Sequence, residues 1–102
     1  GVACFMKTFP VKPRQKYSVS VYAKRQTSGW ASITFQGKDD KNQLLIPLQT
    51  TKTNVGSEWK KIELSFTIPD TGDWKKCCFA LITLCGENGT TWFDDFTMEE
   101  KD

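Results

Sequence analysis

Residues 62–68 read Ile-Glu-Leu-Ser-Phe-Thr-Ile, apolar and polar by turns. Successive side chains of an extended strand point to opposite faces. This run therefore sets Ile62, Leu64, Phe66 and Ile68 on one side and Glu63, Ser65 and Thr67 on the other. A helix would scatter the same apolar residues around its axis. The alternation recurs in residues 17–24, where Tyr17, Val19, Val21 and Ala23 share one face and Ser18, Ser20, Tyr22 and Lys24 the other. It recurs again in residues 31–37, with Ala31, Ile33 and Phe35 inward and Ser32, Thr34 and Gln36 outward. No window of helical length carries a 3.6-residue apolar period. The pattern predicts a core containing Tyr17, Val19, Val21, Ile33, Phe35, Ile62, Leu64, Phe66 and Ile68.

Residues 79–85 are apolar on both faces, as in a central, covered strand. If Ala80, Ile82 and Leu84 face the core, then Phe79, Leu81 and Thr83 face outward. Residues 92–98 close the series, and further strands are expected at 5–11 and 44–49. Pro10, Pro13, Pro47 and Pro69 punctuate these runs together with glycines. The composition agrees, with 5 Val, 5 Ile and 12 Thr against 4 Ala and 6 Leu, because β-branched side chains suit a pleated surface. Short strands separated by turns predict an all-β, antiparallel sandwich or barrel, one domain over residues 1–102.

Several function classes drop out. The 14 Lys+Arg against 12 Asp+Glu leave a net charge of +2, which offers no clustered basic face for nucleic acid. The absence of histidine excludes Ser-His-Asp and Cys-His nucleophilic sites and any zinc site built on His. No apolar run approaches the roughly 18 residues that suggest a membrane span, and residues 1–9 do not read as a signal peptide. Glycoside hydrolysis needs two carboxylates across a cleft. The acids here fall mostly in turns and termini, and Glu63 alone lies within a clean strand, on its outer face. A noncatalytic chain is expected.

The cysteines are Cys4, Cys77, Cys78 and Cys85, without the paired spacing of a zinc ribbon. Adjacent Cys77 and Cys78 point to opposite faces, so a bond between them would be strained. The simplest reading is small buried hydrophobes. A long-range disulfide from Cys4 to Cys85 or Cys77 is the alternative.

Three segments in order make the sequence more specific: residues 11–24 (VKPRQKYSVSVYAK), residues 58–69 (EWKKIELSFTIP) and residues 89–99 (GTTWFDDFTME). Together they resemble the jelly-roll carbohydrate-binding modules of families 4, 9, 16 and 22, over residues 9–99. The resemblance implies a galactose-binding-domain-like jelly roll that binds poly- or oligosaccharide without catalysis. It also implies tethering to a catalytic domain in a secreted or cell-surface protein. Such modules usually begin with N-terminal strands that this sequence lacks. The chain is accordingly expected to be a fragment of a larger protein and less stable alone than with upstream residues. The competing class is an interaction or spacer sandwich with no sugar site.

Sugar recognition needs flat aromatic faces for C–H patches and amide, carboxylate or hydroxyl partners for hydroxyls. Tyr22, Thr34 and Gln36 lie on outward phases and offer both. Trp30 and Trp74 follow loop signals, where an exposed indole is costly without a ligand to stack on. Phe79 and Thr83 join them on the strand that often lines the cleft in modules of this kind. The alternative is that these residues form the solvated face of a sandwich. Trp59 and Trp92 adjoin strand starts and are expected to pack. Asp94 and Asp95 resemble the family's structural calcium position. A calcium ion needs several oxygens, and adjacent Asp residues on a regular strand cannot both point at it. A charged strand start, with Asp95 pairing a lysine, is the other reading.

Overall fold

The structure, a computed structural model, describes residues 4–102. The expected domain also takes in residues 1–3, which lie outside the described residues. Seven strands follow one another: β1 (Cys4–Pro10), β2 (Lys16–Arg25), β3 (Gly29–Lys38), β4 (Gln49–Val55), β5 (Lys60–Thr67), β6 (Phe79–Gly86) and β7 (Thr91–Lys101). A 3-10 turn, Gly72–Lys76, is the one helical element among the described residues. The strands form two sheets, a larger one in the order β1-β6-β3-β4 and a smaller one in the order β5-β2-β7. Every strand pair is antiparallel. This is a β-sandwich of jelly-roll type.

The alternation dictates which faces meet. Each residue expected in the core is buried, from Val19, Ile33 and Ile68 at 0% exposure to Leu64 at 8%. Phe35 of β3 and Phe66 of β5 stack across the two sheets with ring centroids 3.8 Å apart, and Tyr17 stacks on Phe66 at 5.6 Å. Ala80, Ile82 and Leu84 join the same core, so β6 does turn Phe79, Leu81 and Thr83 outward.

Two local expectations need correction. The strand expected at 44–49 lies later, in β4. Leu44 makes only an isolated bridge to Lys38. Pro47 has no N–H to give a ladder, and regular pairing starts at Gln49 opposite Phe35. Among the cysteines, Cys4 and Cys85 are opposite each other on β1 and β6 and form a disulfide. The small-hydrophobe reading holds for Cys77, which is buried with a free thiol, whereas Cys78 is half-buried.

On one side of the sandwich the edge strands β1 and β7 face each other. Aromatic side chains bridge them, Phe5 edge-on to Phe93 at 6.2 Å and Phe9 stacked on Phe96 at 5.7 Å. β7 reaches this geometry through a bulge. Its register with β2 shifts by one residue between Ser20/Thr97 and Tyr22/Asp94. Asp95 sits at φ 54, in the left-handed region that Asp tolerates better than most residues, and its N–H donates to Asp94 Oδ1 at 2.8 Å.

Candidate functional site

The outer face of the larger sheet is assembled by antiparallel register. Thr34 of β3 lies between Thr83 of β6 and Thr50 of β4, with Met6 of β1 beyond Thr83. In the next row Gln36 is opposite Leu81, which is opposite Thr8. In the row after that Lys38 is opposite Phe79, which is opposite Pro10. Thr50 Oγ1 lies 3.1 Å from the Ile33 carbonyl oxygen and 2.8 Å from Thr34 Oγ1. Thr50 has one hydroxyl proton, and the carbonyl can only accept. Thr34 is therefore the donor to Thr50, and its own lone pairs stay open to solvent.

Trp30 stands at one end of this face, opposite Asn54 of β4. Its N–H donates to Glu87 Oε1 at 3.2 Å, and the Glu87 N–H donates to the Trp30 carbonyl oxygen at 2.9 Å. The Lys52 ammonium lies 4.1 Å from the indole centroid. Arg25 holds the loop behind Trp30. Its guanidinium is 1% exposed and donates to the carbonyl oxygens of Thr27, Glu87 and Asn88 at 2.9, 2.9 and 3.0 Å, and also to the Thr91 hydroxyl. Phe79 occupies the opposite end, 38% exposed. The face thus combines a fixed indole with hydroxyl and amide groups in rows set by the strand spacing. Such a surface can lie against the C–H patches of a sugar ring and hydrogen-bond its hydroxyls. The outward strand positions of this sheet include no Asp or Glu, so the strands supply no carboxylate pair for glycoside hydrolysis.

Trp30, Thr34, Gln36, Phe79 and Thr83, all expected at a site, share this face. Tyr22 does not. It lies on β2, on the outer face of the smaller sheet, so the sandwich separates it from Gln36 instead of bringing the two together. Trp74 is also corrected. It is 9% exposed, its Nε1 donates to the Ile46 carbonyl oxygen at 2.7 Å, and its ring lies 5.9 Å from Phe35. It closes one end of the core and leaves no flat face for a ligand. Gly37 makes room for it: a Cβ there would lie 2.4 Å from Trp74 Cζ3. Trp59 and Trp92, expected to pack, are each 44% exposed on the outer side of the smaller sheet. Reading residues 44–49 as the strand hid Thr50 and Lys52. The alternation in residues 50–55 was the available signal.

Asp94 and Asp95 form the β7 bulge. One carboxylate oxygen of Asp94 already accepts the Asp95 N–H. Among the described residues, no three His, Cys, Asp or Glu side chains gather to hold a metal. The pair alone supplies too few oxygens for the six to eight ligands usual for calcium, so the side chains present do not fit that ion. Asp95 makes no salt bridge to a lysine among the described residues.

A protein-family model described as a carbohydrate binding domain matches residues 2–85. No curated protein sequence matches the chain. Among solved structures, the enzymatically active domain of tailspike protein 4 from bacteriophage CBA120 superposes with a TM-score of 0.77 at 17% identity, covering 98% of this chain and 14% of that one. A structure titled for CBM4 structure and function gives 0.63 at 20% identity, covering 96% and 61%. A family 16 carbohydrate binding module gives 0.69 at 17% identity, covering 97% and 70%. The chain therefore spans less than two thirds of the first two structures. At these identities the likeness is one of fold.

Proposed function

Because the chain belongs to the carbohydrate binding domain family, we propose that the outer face of its larger sheet binds poly- or oligosaccharide and performs no chemistry on it. The observation that carries this reading is the placement of Trp30 at the end of rows formed by Thr34, Thr50, Thr83 and Gln36, on strands without an outward acid. The indole gives a stacking surface, and the hydroxyls and the amide fix orientation.

The role that follows is to hold a parent carbohydrate-active enzyme against its substrate. Tethering raises the local concentration of substrate without any new catalytic contact. A secreted or cell-surface setting fits the Cys4–Cys85 disulfide, since such bonds persist in oxidising compartments.

Affinity electrophoresis through gels containing β-glucan, xylan, mannan or galactan tests the reading. The protein is expected to be retarded by at least one polymer, and Trp30→Ala to lessen the retardation while leaving the thermal melt nearly unchanged. If the folded protein migrates freely in every gel, the sugar reading fails and the spacer reading replaces it.

A further inference from the structure

The outer face of the smaller sheet carries aromatic side chains that the proposed site does not use. Tyr22 is 38% exposed, and Trp59 and Trp92 are each 44% exposed. Lys24 accounts for part of this. Opposite Trp92 in the register, it sets its ammonium 4.7 Å from the Trp59 centroid and 5.6 Å from the Trp92 centroid. A lysine held by two indoles is a self-contained cation–π arrangement.

It does not account for a depression of about 250 Å³ lined by Trp59, Tyr22, Asp94 and Asp95. Register sets Asp94 directly opposite Tyr22, and the bulge brings Asp95 to the same rim. Among the described residues, the Tyr22 hydroxyl and the Asp95 carboxylate have no hydrogen-bond partner. The volume lies below the roughly 300–1,000 Å³ of pockets that enclose drug-sized ligands, which is room for a single ring and not for a chain. Lys61, opposite Tyr22 on β5, is already paired with Glu63 at 3.3 Å and Lys24 with the indoles, so it is the two aromatic faces beside hydrogen-bond acceptors that suit a hydroxylated ring.

The geometry points to a second saccharide site on the smaller sheet, with one pyranose ring lying against Tyr22 and Trp59 and its hydroxyls donating to Asp94 and Asp95. This rests on the reading that the chain binds sugars at all, but it needs none of the residues of the first face. The two faces are on opposite sides of the sandwich. A single sugar chain does not run continuously across both, and one molecule bridges two chains.

Nuclear magnetic resonance titration of the 15N-labelled protein tests this, with cellohexaose, xylohexaose and mannohexaose each used alone. The indole N–H of Trp30 reports on the larger sheet and that of Trp59 on the smaller. Both are expected to shift with the same oligosaccharide, with a calorimetric stoichiometry of two. Tyr22→Ala should abolish the Trp59 shift, leave the Trp30 shift, and halve the stoichiometry. Asp94→Asn keeps the shape of the bulge and should weaken the Trp59 response roughly fivefold, as for one lost hydrogen bond. This keeps the test usable if Tyr22→Ala disturbs the sheet. A shift of Trp30 alone, with a stoichiometry of one, overturns the second site and leaves the first. A shift of Trp59 alone upholds the second site and removes the first. Silence at both indoles with all three probes overturns both.

Discussion

Arg25 and Glu87 meet through the main chain and not as an ion pair. Arg25 Nη1 donates to the Glu87 carbonyl oxygen at 2.9 Å, while the Glu87 carboxylate accepts the Trp30 N–H. A fully buried guanidinium thus shapes the loop that fixes the stacking indole. Arg25→Met would strip donors from the Thr27, Glu87 and Asn88 carbonyls. It should cost about 2–4 kcal/mol, since each buried group left unpaired costs about 1–3 kcal/mol. Glu87→Gln retains an oxygen for the Trp30 N–H and should cost under about 0.5 kcal/mol, as for most surface changes. Urea unfolding of both variants separates a loop held by Arg25 from one held by the Glu87 charge.

Phe66 packs between Phe35 and Tyr17, at the centre of the contact between the sheets. Phe66→Ala should lower unfolding free energy by roughly 3–5 kcal/mol, as for other buried Phe truncations. A loss under about 1 kcal/mol in chemical denaturation would mean that β5 presents its other face to the core.

Gly37→Ala forces a methyl group onto the Trp74 ring, 2.4 Å from Cζ3. The indole is wedged against Phe35 and hydrogen-bonded to Ile46, so it has little room to yield. Overpacking of this kind costs about 1–3 kcal/mol. The variant should melt earlier, with a red-shifted tryptophan emission as Trp74 is pushed toward water. An unchanged melt would count against Trp74 as the closure of the core.

The Cys4–Cys85 bond links positions 81 residues apart. Reducing it should remove roughly 2–5 kcal/mol of stability, read as a shift in the urea midpoint with and without reductant. The free thiols should differ. Burial pushes the Cys77 thiol above its ordinary pKa, against the lowering pull of its backbone hydrogen bonds. At mildly alkaline pH a thiol reagent should label Cys78 and reach Cys77 only on unfolding. The sign of the linkage follows. The unfolded Cys77 ionises first, so its contribution to stability is complete below the ordinary thiol pKa and falls as pH rises through it toward the folded value.

Gln36→Ala should weaken binding by about 1 kcal/mol through a lost hydrogen bond. Trp30→Ala should weaken it by roughly 1–3 kcal/mol, in the range of a large interface aromatic. Titration calorimetry with the oligosaccharide that binds best checks both. Equal affinities for Trp30→Ala and the unmodified protein would remove the larger sheet from consideration.

Alternation in the sequence told inside from outside with few errors, because a period of two is a local property of the chain. It could not tell which sheet an outward residue belongs to. Tyr22 and Gln36 have the same phase, yet the crossing from β2 to β3 puts them on opposite sides of the sandwich. The tryptophans were misread for a related reason. Trp74 follows a turn signal and looks exposed, but Gly37 and the Ile46 carbonyl, both distant in sequence, receive it. Trp59 and Trp92 lie beside strands and look packed, but both stay 44% exposed on the outer side of the smaller sheet. Their exposure was decided by tertiary neighbours that no local window contains.

The bulge at Asp95 has a consequence for how β7 is spelled. Phe93 faces inward, and strict alternation would send Asp95 and Thr97 inward after it. One extra residue resets the parity, so that Phe96 and Met98 reach the apolar side and Thr97 meets Ser20 on the wet side, hydroxyl to hydroxyl at 2.7 Å. The last strand is in effect two short amphipathic words written in opposite frames, with Asp95 as the space between them. Flattening the bulge with every residue kept would turn the second word inside out, offering Thr97 and Glu99 to the core and Phe96 and Met98 to water, whereas deleting Asp95 would join both words in one frame. The paired acids of this strand are then a reading-frame device first, whatever they bind.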